Sequence, residues 1–139
     1  MKILVMGLPG SGKTYLAERL AKKIDCGWFN ADTLRGMVKD WDFSEEGRVR
    51  QSQRMSTFAD FEESHDRNII CDFICPTEET RREFDADIVV WVNTIKKGRF
   101  QNTNNVFVPP KKYDFEVTQK LSDDEISQLA EDIIEKGTV

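Results

Sequence analysis

Apolar residues along this chain follow two alternating patterns. Short runs that are apolar at nearly every position occur at Lys2–Met6, at Trp28-Phe29, at 68–73 and at 87–93. Between the first two, Leu16, Ala17, Leu20, Ala21 and Ile24 recur at a three-to-four-residue spacing, which predicts a helix from Lys13. Continuous apolar runs suit strands buried on both faces. Their alternation with helices predicts a three-layer α/β fold with a mostly parallel sheet of about five strands.

Polar punctuation sets the expected boundaries. Asp32 is placed to cap a short helix reaching Lys39, and Asp42, three residues before Glu45, to open a long helix to about position 65. Val49, Met55, Phe58, Ala59 and Glu62 are expected along one side of that helix. Pro76 precedes a helical segment at 77–84, positions 115–118 suit a last strand, and Ser122 with Glu125 forms a capping box for a closing helix to Lys136. From 94 to 113 the regularity gives way to a polar, basic stretch, read as a short lid. A length of 139 residues with 39% hydrophobic content supplies one core, so one domain over residues 1–139 is expected.

Charge and cysteine content narrow the function classes. The net charge is −5 and the basic residues are scattered, which argues against a long nucleic acid as main partner. The longest apolar runs are strand-sized, far below the roughly 20 residues of a membrane helix. The opening run leads directly into a glycine loop and reads as a strand rather than a leader, so the expected compartment is the cytoplasm. Cys26, Cys71 and Cys75, with a single histidine, read as buried thiols of a reducing compartment and not as a zinc set. One sequence does not decide the oligomeric state, and a homodimer is left open.

The candidate chemistry begins at Gly7-Leu8-Pro9-Gly10-Ser11-Gly12-Lys13-Thr14, which matches G-x-x-x-x-G-K-[ST] between a predicted strand and a predicted helix. Glycines let the backbone curl so that its N–H groups converge on phosphate oxygens, and the helix start adds its positive dipole end. ATP and Mg²⁺ are the ligands expected there, with Lys13 on the β- and γ-phosphates and the Thr14 hydroxyl on the metal. Asp72 ends the third strand, as metal-holding aspartates of motors and switches do. It is followed by Phe73-Ile74-Cys75-Pro76, with no glutamate to activate water. Asp72 therefore reads either as a metal contact through water or as a solvated strand end.

Small-molecule kinases place a carboxylate at the tip of the second strand, and Asp32 has that position. Its expected role is to orient and deprotonate an acceptor hydroxyl or to share in holding Mg²⁺, with simple helix capping as the alternative. Arg35, one turn on, suits an anionic group on a small hydroxyl-bearing acceptor, with surface solvation as its alternative.

These residues resemble adenylylsulfate kinase, an enzyme that phosphorylates the 3′-hydroxyl of adenosine 5′-phosphosulfate with ATP. The likeness rests on Gly7 to Thr14; on Asn30-Ala31-Asp32-Thr33-Leu34-Arg35, similar to the family's D-G-D-N-V-R; on Phe43-Ser44 with Arg48; on Ile74-Cys75-Pro76, similar to its I-S-P; and on Lys97-Gly98-Arg99-Phe100, similar to its K-G-L-Y. The resemblance implies that Asp32 is catalytic, that Arg35 and Arg48 hold the phosphosulfate or ribose side, and that Phe43 and Phe100 sandwich the acceptor's adenine. Placement of Phe43 and Phe100 in the core is the alternative. By the same likeness Gln51 and Ile74 border the acceptor. The chain departs from the family pattern at Asn30, where an acidic residue is usual, at Gln51 for Asn, at Thr77 for Tyr, and in a shorter 94–113 segment. Lys96, Lys97, Arg99, Lys111 and Lys112 are candidates to close over the ATP phosphates. Two other readings stay open: a kinase of the same architecture acting on a nucleoside, sugar or polynucleotide 5′ hydroxyl, and a nucleotide-binding module without transfer chemistry.

Overall fold

The apolar runs pair into a five-stranded parallel sheet in a computed structural model of the chain, which describes residues 1–98 and 100–138. The strands β1 (Lys2–Met6), β2 (Gly27–Asn30), β3 (Ile69–Phe73), β4 (Ile88–Val92) and β5 (Phe115–Val117) lie in the order β2-β3-β1-β4-β5. The helices are α1 (Lys13–Ile24), α2 (Ala31–Val38), α3 (Glu45–Glu63), α4 (Glu78–Phe84), α5 (Gln101–Val106) and α6 (Asp123–Gly137).

Successive residues of a strand face opposite sides, so each central strand feeds two cores. Ile3 and Val5 of β1 join Leu16 and Leu20 of α1 and Ile126 and Ile133 of α6. Leu4 and Met6 join Leu34 of α2, Met55 of α3 and Phe84 of α4. Burial on both faces explains why β1 has no polar alternation. Lys2 opens β1 with its side chain 4% exposed and its ammonium 2.8 Å from Asp60 and 4.8 Å from the centre of the Phe84 ring, fastening the strand to α3 and α4. Cys71 and Cys75 are buried in the α2–α4 core. Cys26 is only half-buried, unlike the other two; burial pushes its thiol up to about 11 and that of Cys75 up to about 12, which favours the neutral form of both.

Several boundaries differ from those expected. Asn30, not Asp32, caps α2, accepting from the Thr33 N–H at 2.9 Å, which leaves Asp32 in the first helical turn. Ser44, not Asp42, caps α3, while Asp42 accepts from the Ser44 N–H at 2.9 Å in the preceding turn. The inward side of α3 is Arg48, Gln51, Ser52, Met55 and Ala59, and Phe58 is exposed. The 94–113 stretch contains α5, braced by the Asn104 side chain, which accepts from the Gly98 N–H at 2.7 Å and donates to its carbonyl at 3.0 Å. Arg99 lies outside the described residues. Lys96, Lys97, Lys111 and Lys112 are exposed. Among the described residues, no helix is long and apolar enough to cross a membrane.

The loop after β1 is pressed against the end of β4. A Cβ on Gly7 would stand 2.5 Å from the Val92 carbonyl oxygen and 2.9 Å from the Ser11 hydroxyl, so glycine is required by space. The Thr94 hydroxyl donates to the Ser11 carbonyl at 2.7 Å, and Gly98 leaves room for Pro9. Ser122→Ala, which removes the cap of α6 and its box with Glu125, is expected to cost about 1 kcal/mol in urea denaturation. Gly7→Ala forces backbone apart and is expected to cost about 1–3 kcal/mol in the same measurement.

Candidate active site

Parallel sheets of this kind bind ligands beyond the carboxyl ends of their strands, where the chain reverses its direction of travel across the sheet. Here β2 and β3 lie on one side of β1, and β4 and β5 lie on the other. A cavity of about 740 Å³ opens there. Pro9, Gly10, Gly12, Lys13 and Thr14 form one wall, and Gly12 takes φ 99°, a left-handed conformation that glycine adopts without strain. Gly7 and Leu8 are buried beneath the loop and line neither this cavity nor the second one described below. The Ser11 hydroxyl is, among the described residues, the one buried side-chain polar atom without a hydrogen-bond partner. Such a group costs about 1–3 kcal/mol unless a ligand supplies the missing bond.

Behind Thr14 sits Asp72, 2% exposed. Its Oδ1 accepts from the Thr14 hydroxyl at 3.1 Å, its Oδ2 accepts from Trp28 Nε1 at 2.5 Å, and Asn30 Nδ2 reaches both oxygens at 3.2 Å. Burial pushes the Asp72 carboxyl up from its ordinary range, opposed by these donors and by the Lys13 charge. The reading of Asp72 as a solvated strand end does not hold, because the group is enclosed. Thr14 and Asp72 together offer oxygens alone, the donor set of a hard cation such as Mg²⁺, which keeps most of its waters and needs few protein ligands. No group of three His, Cys, Asp or Glu side chains suited to a metal occurs among the described residues.

The opposite wall comes from α2, α3 and the turn between them. Asp32 is exposed and lines the cavity from the first turn of α2. Arg35 also lines it, yet is 4% exposed, so the solvation alternative fails. Its guanidinium donates to the carbonyls of Asp40 and Asp42 at 2.9 and 3.2 Å and lies 4.4 Å from the centre of the Phe43 ring. Arg48 approaches the same ring at 5.8 Å, donates to the Phe43 carbonyl at 2.8 Å, and reaches the Thr103 hydroxyl of α5 at 3.4 Å. Burial pulls both guanidinium groups below their ordinary values, and both remain cations at neutral pH. Phe43 and Phe100 line the cavity at 46% and 57% exposure and are not core residues. Gln51 lines it with its amide donating to the Ala31 carbonyl at 3.1 Å, and Ile74 borders the floor.

Four features here have no pattern in the sequence. Trp28 meets Asp72 only through the β2–β3 register. Trp41 joins Phe43 on the cavity wall, ring centres 6.4 Å apart. Asp40 receives Arg50 at 2.8 Å and Arg54 at 2.7 Å, and these arginines hold its carboxyl well below the usual carboxylate range. A second cavity of about 310 Å³ lies across the start of α1, bordered by Ser11, Gly12, Tyr15, Thr94, Gln119 and Lys120. The two cavities share Gly12 and Tyr15, so the glycine loop stands between them.

Comparison with known proteins agrees with this architecture. The chain is 31% identical over 88 residues to the Aeropyrum pernix protein named "Probable adenylyl-sulfate kinase", a match covering 57% of this chain and 46% of that protein. The chain thus spans about half the length of this relative. In fold it is similar to the APS kinase of Mycobacterium tuberculosis solved in complex with AMPPNP and APS, with a TM-score of 0.76, 20% identity, and coverage of 99% and 97% of the two chains. It is also similar to the shikimate kinase of Aquifex aeolicus vf5, with a TM-score of 0.68, 14% identity, and coverage of 99% and 98%. The model of the AAA domain matches residues 3–101. That match runs from the first strand through the glycine loop and both walls of the cavity, and by it the chain belongs to the AAA domain family, on a P-loop fold shared with adenylyl-sulfate kinases.

Proposed function

We propose that this chain is an ATP-dependent kinase that transfers the γ-phosphoryl group to a hydroxyl of a small anionic acceptor, with the 3′-hydroxyl of adenosine 5′-phosphosulfate as the first candidate. The observation that carries the reading is that one cavity is bordered both by the phosphate loop with Lys13, Thr14 and Asp72 and by Asp32, Arg35, Arg48, Phe43 and Phe100. A hydrolytic switch has no need of a wall of buried arginines and open aromatic rings. An acceptor with a flat base and anionic groups does. The family likeness and the M. tuberculosis structure, whose ligands are AMPPNP and APS, support the same acceptor class.

In this reading the ATP phosphates lie along the glycine loop, held by its converging backbone N–H groups. The second cavity, on the far side of the loop, takes the donor's nucleoside. Thr14 and Asp72 are the residues that would hold Mg²⁺, which when bound draws negative charge off the β- and γ-phosphates. Lys13 neutralises the same oxygens. Asp32 accepts the proton of the acceptor hydroxyl as its oxygen bonds to the γ-phosphorus, while the bond to the β–γ bridging oxygen breaks and its electron pair leaves with ADP. Arg35 and Arg48 fix the acceptor's anionic groups, and Phe43 and Phe100 stack on its base, worth about 1–3 kcal/mol per ring.

Incubation with labelled ATP, Mg²⁺ and a panel of nucleotide, sugar and oligonucleotide hydroxyls tests the proposal. Label on adenosine 5′-phosphosulfate is expected. Label on another acceptor reassigns the substrate, and binding of ATP without transfer to any acceptor rejects the kinase reading. Asp32→Asn is expected to lower turnover by at least ~10² while ATP affinity stays nearly unchanged. Lys13→Ala should weaken both ATP binding and turnover in the same assays, and full activity in that variant contradicts the site.

A further inference from the structure

Asn30 is engaged at both ends of its amide. Its Oδ1 accepts from the Thr33 N–H at 2.9 Å and from the Thr33 hydroxyl at 3.1 Å. Its Nδ2 faces both carboxylate oxygens of Asp72 at 3.2 Å and the Thr14 hydroxyl at 3.3 Å. This orientation of the amide alone serves both neighbours, since a flipped group would set NH₂ against the Thr33 N–H and oxygen against the carboxylate. The β2–β3 register places Asn30 and Asp72 directly opposite each other.

The chemistry of the pair is asymmetric. A carboxylate at position 30 would still cap α2. It would also set acceptor oxygens against the enclosed Asp72 oxygens with no hydrogen between them, where the amide now donates. Here an amide occupies that place, and the acid stands across the register on β3.

We propose that positions 30 and 72 form one unit that carries a single carboxylate, that Asn30 is the positioning residue holding it against Thr14, and that the carboxylate can be moved from β3 to β2 with the Mg²⁺-dependent site preserved. The proposal rests on the assignment of Thr14 and Asp72 to Mg²⁺ made above. Its test, however, reads folding and binding rather than transfer, so it stands or falls separately from the acceptor assay.

The experiment compares wild type, Asn30→Asp, Asp72→Asn and the double variant in two measurements. The first is the melting temperature without metal. Asn30→Asp is expected to melt at least ~3 °C below wild type, and the double variant to recover that loss. The second is the ratio of ATP affinity in Mg²⁺ to that in EDTA, by calorimetry. Asp72→Asn is expected to lose at least ~10-fold of this ratio, and the double variant to return to within ~3-fold of wild type. An Asn30→Asp protein as stable as wild type overturns the proposal, as does an Asp72→Asn protein with an unchanged ratio. A double variant that stays as insensitive to Mg²⁺ as Asp72→Asn, or that fails to fold, also overturns it.

Discussion

The buried carboxylate of Asp72 is the reference point of the site. It touches the first turn of α1 through Thr14, the edge strand through Trp28, and the cap of α2 through Asn30. The loop that cradles phosphate, the strand register and the helix bearing Asp32 are therefore indexed to one group. Such an arrangement depends on β1 and β3 being buried on both faces, because only a fully covered sheet can enclose a carboxylate with so little water around it. Its neutral donors replace the lost hydration without adding another charge.

The sequence was most legible where burial alone decides residue choice. The strands and α1 follow from apolar spacing, and α6 follows from its capping box, since the positions that set those patterns serve packing or capping alone. The helix α3 and its buried Met55 and Ala59 were legible, but the rest of its inward face was not, for the opposite reason. Its inward stripe of Arg48, Gln51 and Ser52 serves the cavity, so its apolar periodicity is lost where the helix matters most. Asn30 and Asp32, like Ser44 and Asp42, are both competent caps two residues apart, and only the strand end or turn geometry selects between them. The helix α5 has no apolar repeat and is held by side-chain bonds between Asn104 and Gly98.

The site divides along the same line. The phosphate loop was readable because its function belongs to backbone geometry, which glycine positions encode directly. Asp72 was visible as a residue, but its enclosure by Trp28 and Asn30 required the register of strands distant in sequence. Phe43 and Phe100 could have been core or wall from composition alone. Their exposure on the cavity distinguishes the two.

The bonds that Arg35 and Arg48 make to the carbonyls of residues 40, 42 and 43 have a consequence for selectivity. Both cations are already immobilised, stacked around one ring, and partly stripped of water before any ligand arrives. The anionic acceptor proposed for this site would thus meet charges whose rotamer entropy and desolvation were settled during folding, with little reorganisation left to accommodate a poorly fitting guest. Preorganisation of this kind discriminates by shape and spacing of negative charge rather than by its total amount.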